Sequence, residues 1–496
     1  MAILTIRKGK TTLSVPFDGT PKLSELTEKA GLNAGFSLSH PCGGRGVCGK
    51  CAVEVEGALS PLTESEERAG HRLSCQTRLL GDATLTLPDE QKQMVIETGF
   101  ETLNVAFSPM SGTVGAAVDI GTTTVVLRLY DLKTGAFLAD ASAINPQTVI
   151  AADVMGRIGA AKEGKGELLS SLIRDCIRSL RTEAAKKASL SPDAVDRYIL
   201  TGNTTMLYLL TGHDPDCLSH APFTADTLFG EEWALDGIPA YLPLCMSAFV
   251  GADITTAVLA SGMTAKEETA LLCDIGTNGE IALWRSGKLY VSSTAAGPAF
   301  EGAGISCGCG GIPGAIDRVS VKDGELSVHV IGERTPTGLC GSGLIDAVAC
   351  YLDTEIIDET GSIDGDTTLA EGIAPDQKDI RAVQLAKAAI AAGIKTLLEV
   401  SGTKEADIGT LYIAGGFGSH LNIGSAVRIG LIPEALGKVA RPIGNAALAG
   451  AVKLMLSTDS GETVRAFAEN AEAVNLGGNI AFNENYMEGM LFPFED

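Results

Sequence analysis

Hydrophobic and polar positions divide the chain into three stretches. Residues Ile3–Ile6 and Thr12–Val15 alternate as two strands of a hairpin turning across Lys8-Gly9-Lys10. Leu23, Leu26 and Ala30 then recur at helical spacing, which predicts a helix over Lys22–Ala30 that stops at Gly31. A short strand is expected at Ala52–Val55, and Ala83–Leu87 closes this first unit before Pro88. Hairpin, helix, glycine-rich loop and returning strands describe an α+β unit of the β-grasp kind over residues 1–87. From 88 to 112 the periodicity is lost. This stretch reads as a linker of about 25 residues, spanning roughly 28 Å if flexible, unless Val105 and Phe107 dock as a stray strand. After Gly115 the texture becomes repeated strand–glycine–helix units, so residues 113–496 are expected to form an α/β body of two lobes.

The two lobes are inferred from an internal repeat. Ala116–Ile120 runs into Gly121-Thr122-Thr123-Thr124 and a second apolar strand, Val125–Leu129. The same design, apolar strand, Asp-Ile-Gly-Thr, returning strand, begins again at Leu271, with its aspartate 155 residues after the first. A hairpin turning on Gly-Thr points backbone N–H groups and hydroxyls at one place, which suits phosphate oxygens. Candidate phosphate-binding residues are therefore Gly121, Thr122 and Thr123 in one turn and Gly276, Thr277 and Asn278 in the other. Asp119 and Asp274 end the two strands and face the same point. One such carboxylate can hold Mg²⁺ through water, and the other can orient or deprotonate an attacking water. A third strand, beginning at Leu411, runs into Gly415 and Gly416, where the missing side chains let an adenosine approach the backbone. Glu280 and Glu301 lie near these turns, and a Mg²⁺ contact and a solvated or core-capping role are both open for them; Asp253, in Val250-Gly251-Ala252-Asp253, is a candidate further site acid.

The first unit carries its own chemistry. Cys42, Cys48, Cys51 and Cys75 read C-x5-C-x2-C-x23-C, close to the plant-type ferredoxin spacing of C-x4-C-x2-C with a distant fourth cysteine. The first gap is one residue longer, as in vertebrate-type ferredoxins. A structural zinc would want two close pairs, and only Cys48/Cys51 makes one. Glycines crowd the loop, so its amides can turn onto the sulfides of a [2Fe–2S] cluster. The Gly44, Gly46, Gly49 match to G-x-G-x-x-G lies inside this loop without the helix start that would make it a nucleotide fingerprint. His40 beside the loop reads as a surface residue. Eight further cysteines are scattered, with Cys307 and Cys309 the only close pair, and read as structural thiols.

Composition narrows the function class. The 496 residues carry a net charge of −23, which opposes nucleic-acid binding. Residues 1–87 hold ten Lys/Arg against nine Asp/Glu, so nearly all the excess negative charge lies beyond them. Neither a signal-like apolar start nor a run of eighteen apolar residues is found, and the expectation is a cytoplasmic protein without a membrane span.

In their order along the chain, Asp119–Thr123, Asp274–Asn278 and Gly415–Gly418 resemble the phosphate-1, phosphate-2 and adenosine motifs of the superfamily of sugar kinases, heat-shock chaperones and actin (ASKHA). That resemblance implies a two-lobed actin-like ATPase binding ATP with Mg²⁺. A vertebrate-type [2Fe–2S] domain fused ahead of such a body is similar to the reductive activators of corrinoid-dependent methyltransferases. Further stretches look like that family's: Thr201–Met206, Gly297–Gly302, Gly314–Asp317, Gly338–Gly343 and Gly444–Leu448. The resemblance covers essentially the whole chain. It implies ATP-dependent return of a corrinoid protein from Co(II) to Co(I), a low-potential electron donor, and a homodimer through the ATPase body. Two departures stand out. Longer members carry an extra small domain between linker and ATPase, whereas Gly115 follows the linker almost directly. The Ile305–Gly311 stretch also differs from the more basic, methionine-containing one expected there. From other classes, a small-molecule kinase with a redox-sensing head and a nucleotide-switched partner-binding protein are the alternatives.

Overall fold

The computed structural model describes residues 2–8, 11–27, 44, 46, 51–87, 107–416 and 420–493. In the first unit, β1 (Ala2–Lys8) and β2 (Thr11–Phe17) form the expected hairpin, with Ala2 opposite Phe17 and Lys8 opposite Thr11. Three more strands, β3 (Ala52–Leu59), β4 (Arg72–Leu73) and β5 (Leu79–Leu87), complete a sheet ordered β2-β1-β5-β3-β4. The first and last long strands, β1 and β5, lie side by side in parallel. Residues 23–27 are helical and bury Leu23 and Leu26 against Leu4, Ile6, Leu79 and Leu85; the rest of the expected helix lies outside the described residues. β3 runs four residues further than its apolar pattern suggests. Gly57, at φ +127°, sits at a register shift and acts as a bulge within the strand. A Cβ there would come 2.4 Å from the Asp82 carbonyl oxygen. The short helix Glu64–Ala69 was not legible as apolar periodicity; a Thr63/Glu66 capping box starts it and Gly70 ends it.

The body contains two six-stranded sheets of matching design. In the first lobe β6 (Val114–Ile120), β7 (Thr124–Asp131), β8 (Phe137–Ile144), β9 (Val195–Gly202), β10 (Glu231–Leu235) and β11 (Ile238–Leu242) are ordered β10-β11-β9-β6-β7-β8. In the second, β12 (Ala270–Ile275), β13 (Gly279–Arg285) and β14 (Lys288–Thr294) come first. After a three-stranded insert of β15 (Ala315–Lys322), β16 (Glu325–Val330) and β17 (Gly338–Leu339), β18 (Thr410–Ala414), β19 (Ala440–Gly444) and β20 (Glu472–Ala473) follow. Their order is β19-β18-β12-β13-β14-β20. β6 pairs antiparallel with β7 and parallel with β9; β12 pairs antiparallel with β13 and parallel with β18. The repeated turns are therefore the hairpin tips of two equivalent central strands.

The lobes are joined by a pair of crossing helices. Helix Ala446–Leu456 comes from the second lobe's chain but buries Leu448, Ala451, Val452 and Met455 against Ala117, Val126 and Ile199 of the first sheet. Helix Ala252–Ser261 comes from the first lobe's chain and packs Ile254 and Val258 with Leu272, Ala282 and Tyr412 of the second sheet. At the crossing, a Cβ on Gly450 would lie 1.9 Å from the Thr256 carbonyl oxygen, so only glycine permits this approach.

The segment read as a linker is described only from 107 onward. There Ser108 bridges in parallel to Ser457, and the Met110 N–H donates to the Met455 carbonyl at 2.9 Å. Gly450→Ala is expected to force the crossing helices apart and destabilise the body by about 1–3 kcal/mol. Thermal unfolding measures this, and an unchanged Tm would show that the helices do not meet so closely.

Candidate active site

Both repeated turns are tight for local reasons. The Gly121 N–H donates to the Thr124 carbonyl at 2.9 Å, and a Cβ on Gly121 would fall 2.6 Å from that oxygen. Three side chains from the first lobe hold this turn. Asn145 Nδ2 donates to the Gly121 carbonyl at 2.8 Å, Asn203 Nδ2 to Thr122 Oγ1 at 3.1 Å, and Arg157 Nη2 to the Thr122 carbonyl at 2.5 Å. Arg157 is wholly buried, with its other donors on the Ala151 carbonyl and Gln147 Oε1. Burial pushes its pKa down to about 9, against the nearby charges of Asp153 and Glu301.

Between the turns the structure brings together Asp119, Asp253, Asp274 and Glu280. The β12–β13 register sets Asp274 directly opposite Glu280, and Asn445 Nδ2 donates to Asp119 Oδ2 at 2.7 Å. Asp119, Asp253 and Asp274 are half-buried at the cleft floor, while Glu280 is buried. Burial raises all four pKa values. Asp119 rises to about 6 in spite of Asn445; Asp274 rises to about 7, helped by the charges of Asp119 and Glu301. Asp253 reaches about 8, with Asp119 and Asp274 adding to burial, and Glu280 is pushed well above its ordinary value.

Glu301 spans the two turns. It ends the short helical turn Pro298–Glu301 and accepts from the Thr277 N–H at 2.7 Å, from Thr277 Oγ1 at 2.8 Å, and from Thr123 Oγ1. Gly415, at φ +97°, abuts the acidic cluster: a Cβ there would stand 2.7 Å from Asp274 Oδ1. A Cβ on Gly416 would meet nothing within 4 Å, which leaves room beside the backbone. Of the third motif, Phe417 and Gly418 lie outside the described residues. Among the described residues no three His, Cys, Asp or Glu side chains could hold a metal ion together.

Sequence reasoning selected Asp119, Asp274 and the turn residues, and left Asp253, Glu280 and Glu301 open. It missed the roles of Asn145, Asn203, Arg157 and Asn445. Counting the β12–β13 hairpin residues would have paired Asp274 with Glu280. A cavity of about 620 Å³ lined by Lys162, Arg174, His213 and Asp216 contains none of these residues.

In the first unit, Cys51 and Cys75 are buried with their sulfurs 3.3 Å apart, well beyond a disulfide bond of about 2.05 Å. Gln76 Nε2 donates to the Gly44 carbonyl at 2.9 Å and ties the loop to the fourth cysteine. A Cβ on Gly46, at φ +73°, would lie 2.9 Å from Gln76. Two buried, adjacent sulfurs under a glycine loop fit an iron–sulfur cluster. Cys42, Cys48 and His40 lie outside the described residues.

Fold and site together define a ferredoxin domain followed by a two-lobed actin-like ATPase. Comparison with known proteins makes this specific. The model of the 2Fe-2S iron-sulfur cluster binding domain matches residues 17–80; that of the RACo middle region matches 114–266; and that of the C-terminal domain of RACo, the ASKHA domain, matches 268–496. The chain is 37% identical to the corrinoid activation enzyme RamQ of Eubacterium limosum, over 76% of this chain and 70% of that one. It is 27% identical to the [Co(II) methylated amine-specific corrinoid protein] reductase of Methanosarcina barkeri, over 75% of this chain and 76% of that one. A solved structure named reductive activator for corrinoid, iron-sulfur protein superposes with a TM-score of 0.72 at 26% identity, covering 100% of this chain and 99% of that one. The chain belongs to this family of corrinoid-activating enzymes, with a [2Fe–2S] domain and a nucleotide-binding ASKHA body. The part that the family model terms the middle region is here the lobe built on β6–β11. Among the described residues no helix is long and apolar enough to cross a membrane.

The carboxylate pKa values carry a sign for stability. Ordinary aspartates titrate near 3.8, while Asp119, Asp274 and Asp253 titrate at about 6, 7 and 8 in the fold. Between about pH 4 and 8 these three groups therefore hold more protons in the folded chain than in the unfolded one, and their contribution to stability falls as pH rises. In nucleotide-free protein Asp253→Asn should flatten that decline and raise Tm at pH 8 by about 2–4 °C. A variant no more stable than the parent at pH 8 would contradict the assignment.

Proposed function

We propose that this protein uses ATP to drive one-electron reduction of a corrinoid protein, returning inactive Co(II) to Co(I). The observation that carries this reading is the convergence of two mirrored Asp-Ile-Gly-Thr turns on one acidic cleft, in a chain that opens with a ferredoxin domain. In this reading residues 1–87 are the electron-transfer head, 88–112 a connector and 113–496 the ATPase body. Cys42, Cys48, Cys51 and Cys75 hold the [2Fe–2S] cluster, which supplies one electron at a time. The electron comes from a low-potential donor; the setting is cytoplasmic and the body dimerises.

The turns at Gly121, Thr122 and Thr123 and at Gly276, Thr277 and Asn278 take the phosphates of ATP, and Gly415 and Gly416 take its adenosine. Asn445 steers Asp119, the carboxylate that would hold Mg²⁺ through water. Asp274, titrating at about 7, is placed to accept a proton from the attacking water near neutral pH. ATP is needed because Co(I) corrinoids lie at very negative potential. For a single electron about 59 mV corresponds to 1.4 kcal/mol, so a gap of a few hundred millivolts costs several kcal/mol. Closure of the lobes on a corrinoid protein, favouring a cobalt form that has lost its axial ligand, can offset that cost.

Mixing reduced protein, a Co(II) corrinoid protein and Mg-ATP should give the Co(I) optical spectrum, with much lower yield when nucleotide is left out. Equal yields would remove the coupling. Asp274→Asn should still bind ATP but hydrolyse it about 10²–10⁴ times more slowly, as phosphate release would measure. Undiminished hydrolysis would exclude Asp274 as the base.

A further inference from the structure

We infer that Glu301 is an internal anion that takes the phosphate position between the two turns, latching them together until nucleotide displaces it. The inference rests on the nucleotide-site reading above and adds to it a residue that sets nucleotide affinity and lobe closure.

A backbone N–H and two hydroxyls converging on one anionic group form the donor set by which turns hold a phosphate. Here that set is already engaged by a carboxylate. Thr277 gives Glu301 Oε1 both its N–H, at 2.7 Å, and its hydroxyl, at 2.8 Å, while Thr123 of the other lobe donates to Oε2. Each Thr comes from a different copy of the repeat, so the Glu301 carboxylate connects the two phosphate turns directly. It also lies within electrostatic reach of the buried Arg157, whose guanidinium braces the first turn. A phosphate entering between the turns needs the same donors, and two anions cannot share them.

The residues around Glu301 explain how it is held. The Gly297 N–H donates to the Thr277 carbonyl at 2.9 Å, tying the start of the Glu301 segment to the second turn. Just beyond, Gly302, at φ +77°, packs so closely that a Cβ would lie 2.3 Å from the Cys309 carbonyl oxygen. Glu301 thus stands between a phosphate turn and the Cys307–Cys309 loop. That loop lies in the Ile305–Gly311 stretch, one of the two departures from the family's expected pattern.

Two measurements test this, using the full chain. The first is hydrogen exchange without nucleotide. In Glu301→Ala the Thr277 amide should exchange about tenfold faster than in the parent, because its acceptor is gone; unchanged exchange would overturn the latch. The second is binding of ADP with EDTA present, which removes any contribution from a cation. Glu301→Gln, which keeps shape without charge, and Glu301→Ala should each bind ADP about tenfold more tightly than the parent, because no internal anion competes. Equal or weaker ADP binding by both variants would overturn the inference and make Glu301 an ordinary contributor to nucleotide binding. Failure of the parent to bind ADP or ATP at all would instead count against the nucleotide-site reading, leaving the latch to be judged on exchange alone.

Discussion

Four carboxyl groups, Asp119, Asp253, Asp274 and Glu280, share one cleft, and like charges held that close in a poorly hydrated site cannot all ionise. Much of the surrounding arrangement answers that constraint. Asn445 offers Asp119 a neutral amide, which orients the carboxylate while only partly offsetting burial. Arg157 brings a buried positive charge to the back of the first turn, and its bonds to Thr122, Ala151 and Gln147 keep it there. With three of the carboxyl groups holding protons up to about pH 6 to 8, ionising them together at higher pH costs stability.

The duplication that produced the two lobes did not leave them equivalent. Both central strands end in aspartate, pair antiparallel with the strand after the turn, and pair parallel with a later strand. Across the antiparallel partner, however, Asp274 faces Glu280 whereas Asp119 faces Val126. The second half therefore places two acids opposite each other across the hairpin, where burial raises the proton affinity of both and the charge of Asp274 adds to it for Glu280. The first half places one acid beside an apolar neighbour and corrects its orientation from the other lobe.

Much of the fold was legible because its signals are local. Period-two alternation gave the hairpin at the N-terminus, and the recurrence of Asp-Ile-Gly-Thr gave two equivalent lobes before any strand order was known. The cysteine spacing was equally local, and Cys51 and Cys75 do come together. The rest depends on contacts between residues far apart in sequence. Nothing near Asn445 says that its amide meets Asp119, 326 positions away. Glu301 could be placed near the turns from the sequence, but its bonds to both Thr277 and Thr123 appear only once the two lobes are assembled. Gly57 reads as a strand end because a bulge and a terminus use the same residue, and only the partner strand decides between them. The exchange of crossing helices between lobes is likewise invisible in each helix's own periodicity, since both are apolar on more than one side.

That exchange gives the body a physical link between cleft and connector. Asn445 donates to Asp119 and caps the helix Ala446–Leu456. At the other end of this helix, the Met455 and Leu456 carbonyls accept from Met110 and Ser108, the described end of the connector. Eleven residues of α-helix span about 16 Å and transmit displacement along their axis with little compliance. Gly450 lies midway, where the helix is pressed against Thr256 of the helix that begins beside Asp253. A change in how Asp119 and Asp253 are held is thus applied to two crossing rods, one of which ends where Ser108 and Met110 are bound. The single helix Ala446–Leu456 thus has the acidic cleft at one end and the Ser108–Met110 segment at the other.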